Sequence, residues 1–235
     1  MGSQPEPEPE PKPEPEPEPE PEEPEEPEHD RWLDEHVASA WALFDSLGRP
    51  RYWLAPMVGQ SEPAFRMLVR SLGAHICSTE MIDIGGYAKS AEYRAQFPFF
   101  DCDRPLIVQL GGADRSSLVP AARLVEAAGG CDAIEINAGC PQACARKGRY
   151  GAFLMDDPPT LCEMVQELRN AVSLPILVKI RVFAEHEPTV TLAKQLEAAG
   201  CSILTVHGRT RNQAGKTGRQ CRVLADWTKI AAVKR

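Results

Sequence analysis

From Arg51 to the last residue, short and almost wholly apolar runs alternate with longer stretches of helical periodicity, and this rhythm limits the possible folds more than any other feature. The apolar runs fall at 52–58, 76–79, 106–110, 133–136, 176–180 and 203–206. Helical spacing marks 63–72, 116–128, 158–172, 188–199 and 226–234, with Pro63 near the start of the first helix and Gly73 at its stop. A strand that is apolar on both faces needs cover on both, so such strands belong to a parallel sheet carrying helices. No Gly-x-Gly-x-x-Gly follows the first run. The pattern therefore predicts an α/β fold of the (β/α)8 barrel type, incomplete at about six βα units, rather than a dinucleotide-binding sheet. Ahead of it, Val37, Trp41, Phe44 and Leu47 recur at helical spacing, placing a leading helix within 29–50. Residues 83–100 form a longer excursion without strong periodicity.

Residues 5–28 hold 12 Glu, 11 Pro and one Lys. Such a segment has nothing to bury, its charges repel, and its prolines favour extended backbone, so 1–28 is expected to be a disordered tail. It lacks the basic and apolar regions of a targeting peptide. The tail also distorts the charge balance: it carries −11 of a formal −8, which leaves +3 for residues outside it. A mildly basic body is compatible with RNA without requiring it. The eight cysteines form no Cys-x-x-Cys pair, so a metal site is not expected, and reduced thiols fit a cytoplasmic or nuclear protein. No apolar run approaches the ~18 residues of a membrane span.

Chemistry is expected where the run at 133–136 ends. The chain must turn at Asn137-Ala138-Gly139, Cys140 follows, and the next residues include Arg146, Lys147 and Arg149. A thiol at a strand's carboxyl end, beside a basic loop, suits an anionic substrate. Lys179 sits within an otherwise apolar strand, where a bare ammonium calls for an anion facing it. Gln109 interrupts Leu-Ile-Val-Gln-Leu and needs a partner, either a ligand or a structural hydrogen bond. His207 ends the run at 203–206 as a ligand donor or a satisfied core histidine.

Asn-x-Gly-Cys-Pro at 137–141, with the Ala-x-x-Gly-x-x-Gly-Ala-x-Leu that ends at Leu154, resembles the signature of the tRNA-dihydrouridine synthases. The Gly-Cys-Pro-Gln variant looks most like the eukaryotic branch acting on positions 16 and 17 of the D loop. Leu54-Ala55-Pro56-Met57-Val58, Val108-Gln109, Val178-Lys179-Ile180-Arg181 and Thr205-Val206-His207-Gly208-Arg209-Thr210 match in the same order. The resemblance implies an enzyme that uses FMN, reduced by NADPH or NADH, to convert a tRNA uridine to 5,6-dihydrouridine.

It also implies roles. Cys140 would be the general acid, a neutral thiol that gives a proton to one carbon of the uracil double bond while the flavin's hydride goes to the other. Pro56, Met57 and Val58 would lie against the flavin, Gln109 and His207 would bond its ring, and Lys179 would face the negative charge of its reduced form. Asn137 and Arg181 would meet the base. Arg209, with Arg211, Lys216, Arg219, Arg222 and the basic residues after Cys140, would guide the RNA backbone. The family continues into two further strands with the flavin's phosphate site and a helical RNA-binding domain, so the chain is expected to be carboxyl-terminally truncated and, when full length, a monomer. Two other readings stand beside this one: an inactive, flavin-free RNA-binding fragment, and another FMN barrel acting on a free pyrimidine, against which the basic loops argue.

Overall fold

A computed structural model describes residues 28–213 and 223–234. The Pro/Glu tail up to Pro27 lies outside the described residues, as do Lys216, Arg219 and Arg222. Seven parallel strands form one sheet: β1 Trp53–Leu54, β2 Ile76–Ser78, β3 Ile82–Asp83, β4 Leu106–Gly111, β5 Ala133–Ala138, β6 Ile176–Arg181 and β7 Ile203–His207. Their order is β1-β2-β4-β5-β6-β7, with β3 also paired to β4. The helices are α1 Glu28–Ser46, α2 Pro63–Ser71, α3 Ile84–Lys89, α4 Ala91–Arg94, α5 Leu118–Ala128, α6 Ala143–Gly148, α7 Pro158–Ala171, α8 His186–Ala198 and α9 Trp227–Lys234. Strand and helix alternate around an open wall, an incomplete (β/α) barrel, and among the described residues β1 and β7 are its edges.

The register sorts the strand residues onto two faces. Leu110, Ile136, Val178 and Leu204 align across four strands, as do Ala138, Ile180 and Val206 across three. This outer face is dry because α5, α7 and α8 press Leu118, Val125, Leu161, Val165, Leu168, Leu192 and Leu196 onto it. The inner face begins apolar, with Ile76, Ile107, Ala133 and Leu177 buried under Leu47 of the segment that follows α1. The leading helix is thus the barrel's floor; His36 Nε2 lies 3.1 Å from the Cys201 carbonyl, and the Arg169 guanidinium sits 4.7 Å above the Trp32 ring. Further along the same face, toward the carboxyl ends of the strands, the residues are Gln109, Glu135, Asn137, Lys179, Thr205, Arg181 and His207. Successive inward residues two apart therefore pass from a hydrocarbon floor to a polar mouth.

Three expectations need correction. The run at 52–58 is a strand only at Trp53–Leu54, because Pro56 has no N–H for the ladder and the chain then turns, with Gln60 and Ser61 N–H donating to the Met57 carbonyl. The count of strands is seven, not six: Ile82 and Asp83 pair with Leu110 and Gly111 after a break in β2, and two residues are too few to show a period. The excursion at 83–100 contains α3 and α4, capped by the Asp83 and Ser90 side chains.

One buried charge cluster ties the helix of the first βα unit, α2, to the segment that leads into β4. Asp103 accepts from Arg66 Nε at 2.7 Å and Arg70 Nε at 3.0 Å, while Arg70 Nη2 reaches the Pro105 carbonyl at 2.6 Å. Asp103 has no solvent exposure at all, so each hydrogen bond to it is made where water cannot replace it.

Candidate active site

Cys140 is fixed by its backbone from two sides. As the chain leaves β5, Asn137 turns its side-chain oxygen back to accept the Gly139 N–H at 3.0 Å and the Cys140 N–H at 2.9 Å, an Asx-type turn that only a short side chain with an acceptor can make. From the other side the Ala152 N–H donates to the Cys140 carbonyl at 2.9 Å. Gly151 lies beside it at φ +61°, and a Cβ there would stand 2.6 Å from that carbonyl oxygen, so the approach requires glycine. The segment after Cys140 is not an open loop: α6 carries Arg146 and Lys147, and both are exposed, as is Arg149. Burial pushes the Cys140 thiol up, with Arg181 only partly opposing it. The thiol is protonated at neutral pH, the state a general acid requires.

Beneath Cys140 a polar relay crosses three strands. Gln109 Nε2 donates to Glu135 Oε1 at 2.7 Å, Asn137 Nδ2 donates to Gln109 Oε1 at 2.9 Å, and Thr205 Oγ1 donates to Glu135 Oε2 at 3.2 Å. The Gln109 and Asn137 amides thus each have protein partners at both ends, and Asn137 directly positions the Cys140 backbone. Glu135 was not picked out from the sequence, although a charge in Ala-Ile-Glu-Ile gives the same signal as Lys179 in its own strand. It is 1% exposed. Burial pushes its carboxyl pKa up, and the Lys179 charge pulls it back.

Lys179, Arg181, His207 and Arg209 gather at the ends of β6 and β7. Burial pushes the Lys179 ammonium down and Glu135 opposes this. Among the described residues it has no side-chain hydrogen bond. Arg181 Nε holds the Gly139 carbonyl at 2.7 Å and its Nη1 the Thr210 carbonyl at 3.3 Å, so it braces the turn at Cys140. Arg209 Nη1 lies 3.2 Å from His207 Nε2. A guanidinium only donates, so that nitrogen is the unprotonated one and the ring is neutral. Burial and the neighbouring Arg181, Lys179 and Arg209 hold His207 down to about 4. Arg211 is engaged with the protein, stacking 4.6 Å from the Phe153 ring and donating to Asp156 Oδ2 at 2.5 Å. Pro56, Met57 and Val58 follow β1 at the same end of the barrel; the first two are partly buried, Val58 is exposed, and the Gly59 N–H ties their turn to Glu80 at 2.7 Å.

Residues 53–235 match the family model described as Dihydrouridine synthase (Dus). The chain belongs to the dihydrouridine synthase family. It is 44% identical over 193 residues to a tRNA-dihydrouridine(16/17) synthase (NAD(P)(+))-like protein of Rattus norvegicus, covering 81% of this chain and 43% of that one. To the tRNA-dihydrouridine(16/17) synthase (NAD(P)(+)) of Saccharomyces cerevisiae it is 42% identical, over 80% of this chain and 44% of the yeast protein. The Schizosaccharomyces pombe enzyme of the same name is 38% identical, over 82% of this chain and 48% of its own length. The chain therefore spans less than half the length of these curated relatives. Among its described residues no group of three His, Cys, Asp or Glu could hold a metal ion, and no helix is long and apolar enough to cross a membrane.

Proposed function

We propose that the protein reduces uridine to 5,6-dihydrouridine in tRNA, with FMN as the resident cofactor, NADPH or NADH as its reductant and Cys140 as the proton donor. The observation that carries this reading is a neutral, backbone-fixed thiol just past the end of β5 together with an amine on the neighbouring strand β6, Lys179, that has no hydrogen-bonding partner among the described residues. A cofactor bearing negative charge in its reduced form fits that amine, and three further cationic or donor groups, Arg181, His207 and Arg209, surround the same space. When bound, reduced flavin supplies a hydride to one carbon of the uracil double bond.

The chain's own residues account for the rest. Lys179 supplies positive charge where reduction creates negative charge. Neutral His207 donates through Nδ1–H, since its other nitrogen faces Arg209. Cys140 gives its proton to the second carbon, and Asn137, Arg181 and Ala152 keep its backbone from shifting as it does so. Pro56 and Met57 offer a partly apolar wall, with Val58 exposed at its edge. Exposed Arg146, Lys147 and Arg149, together with Arg209, give the rim the charge to hold a phosphate backbone. The names of the relatives support uridines 16 and 17 as the targets.

The test uses the purified protein with FMN, NADPH and unmodified tRNA, and separately with uracil or uridine. Dihydrouridine in the tRNA alone is expected. Reduction of the free base at a comparable rate would favour the free-pyrimidine reading, and protein that binds tRNA but no flavin would overturn the enzymatic one.

A further inference from the structure

The geometry points to Glu135 as a positioning residue that sets the side-chain orientation of Gln109 and Asn137 and, through them, the place of Cys140. The inference rests on the reading of Cys140 as proton donor, but it makes a claim about residues that any reading must accommodate. Glu135 touches neither the thiol nor the mouth of the barrel; it lies on the inner face of β5, two residues before Asn137.

Which groups can donate decides how the amides are oriented. Both carboxylate oxygens of Glu135 are acceptors here, one for Gln109 Nε2 at 2.7 Å and the other for Thr205 Oγ1 at 3.2 Å. A carboxylate offers no donor, so the Gln109 amide must turn its NH2 toward Glu135 and its oxygen toward Asn137. That oxygen then accepts the Asn137 NH2 at 2.9 Å. With its NH2 fixed, Asn137 can present only its oxygen to the two backbone N–H groups at Gly139 and Cys140. Were Gln109 reversed, two NH2 groups would meet, Asn137 would flip, and the Gly139 and Cys140 amides would face a donor. A buried carboxylate is costly in this setting, and an apolar residue would fill the same volume without that cost. Its value lies in fixing the polarity of the amide chain from one end, as the Gly139 and Cys140 N–H groups fix it from the other.

The relay is tested by hydrogen exchange at the Gly139 and Cys140 amides, read residue by residue by NMR on the full chain. In Glu135→Leu these two amides should exchange at least about tenfold faster than in the wild type, the size expected for one lost hydrogen bond. The Ile134 amide, which donates to the Pro175 carbonyl on the same strand, should keep its rate. Glu135→Gln retains an oxygen for Gln109 and can donate to Thr205, so it should restore slow exchange at both sites. Unchanged exchange at 139 and 140 in Glu135→Leu overturns the proposal, and so does equal acceleration at Ile134, which would mean general loosening. Should Glu135→Leu fail to fold, Gln109→Leu cuts the same relay one link later and must give the same selective acceleration. Failure of the wild type to form dihydrouridine would overturn the proposed function and leave the exchange result to decide on Glu135.

Discussion

His207 is a neutral imidazole held among Arg181, Lys179 and Arg209, and this gives it a measurable effect on stability. Its folded pKa of about 4 lies below the ordinary 6.5, so the unfolded chain takes up a proton first as the pH falls. Stability is therefore retained above about pH 6.5 and lost as the pH drops from there toward 4. Thermal melts of the wild type and His207→Asn from pH 7 to 5 should show the wild type losing more stability on acidification; parallel curves would contradict this. Single residues were unevenly legible in the sequence. Lys179 announces itself by putting a charge into an apolar run, and Cys140 by following a turn signal. Glu135 gives the first of these signals too, but its meaning depends on Gln109 and Thr205, which are 26 and 70 positions away and are brought near only by strand pairing. Arg211 could not be separated from its basic neighbours until Phe153 and Asp156 were seen against it.

Elements were legible where they are long. α5, α7 and α8 and strands β4 to β7 fall where apolar spacing puts them, to within a few residues at their ends, because each must cover or form a dry sheet. β1 and β3 did not, since proline ends the first and the second has two residues. Beside the β2–β4 ladder, charge joins the short β1–β2 unit to the rest: α2 is bound to the segment leading into β4 through Arg66, Arg70 and Asp103. Asp103→Asn would leave the buried Arg66 guanidinium and the partly buried Arg70 one sharing a neutral amide. This should cost about 3–5 kcal/mol in urea unfolding. Removing Asp45 from its exposed pair with Arg49, where water screens the charges, should shift the urea midpoint far less. Equal costs for the two would show that Asp103 is not the tie between these elements.

Across the whole molecule the inner face of the sheet changes character along one direction, from the hydrocarbon floor under α1 to a cationic mouth where β6 and β7 end. The alternation of strand and helix made the wall of the barrel legible, and the motif at 137–141 made one end of it chemical. The depth of the polar layer was hidden, because Gln109, Glu135 and Thr205 read singly as interruptions and become a layer only when register aligns them. In the proposed function this mouth delivers a proton from Cys140 to a tRNA uridine. The most direct test of this transfer is nucleoside mass spectrometry of tRNA from cells that lack the protein and receive either the wild type or Cys140→Ala, with flavin content measured on both purified proteins. The wild type should restore dihydrouridine, and Cys140→Ala should carry the same flavin but leave dihydrouridine at about a hundredth of that level or lower. Wild-type dihydrouridine levels from the Cys140→Ala protein would contradict the transfer.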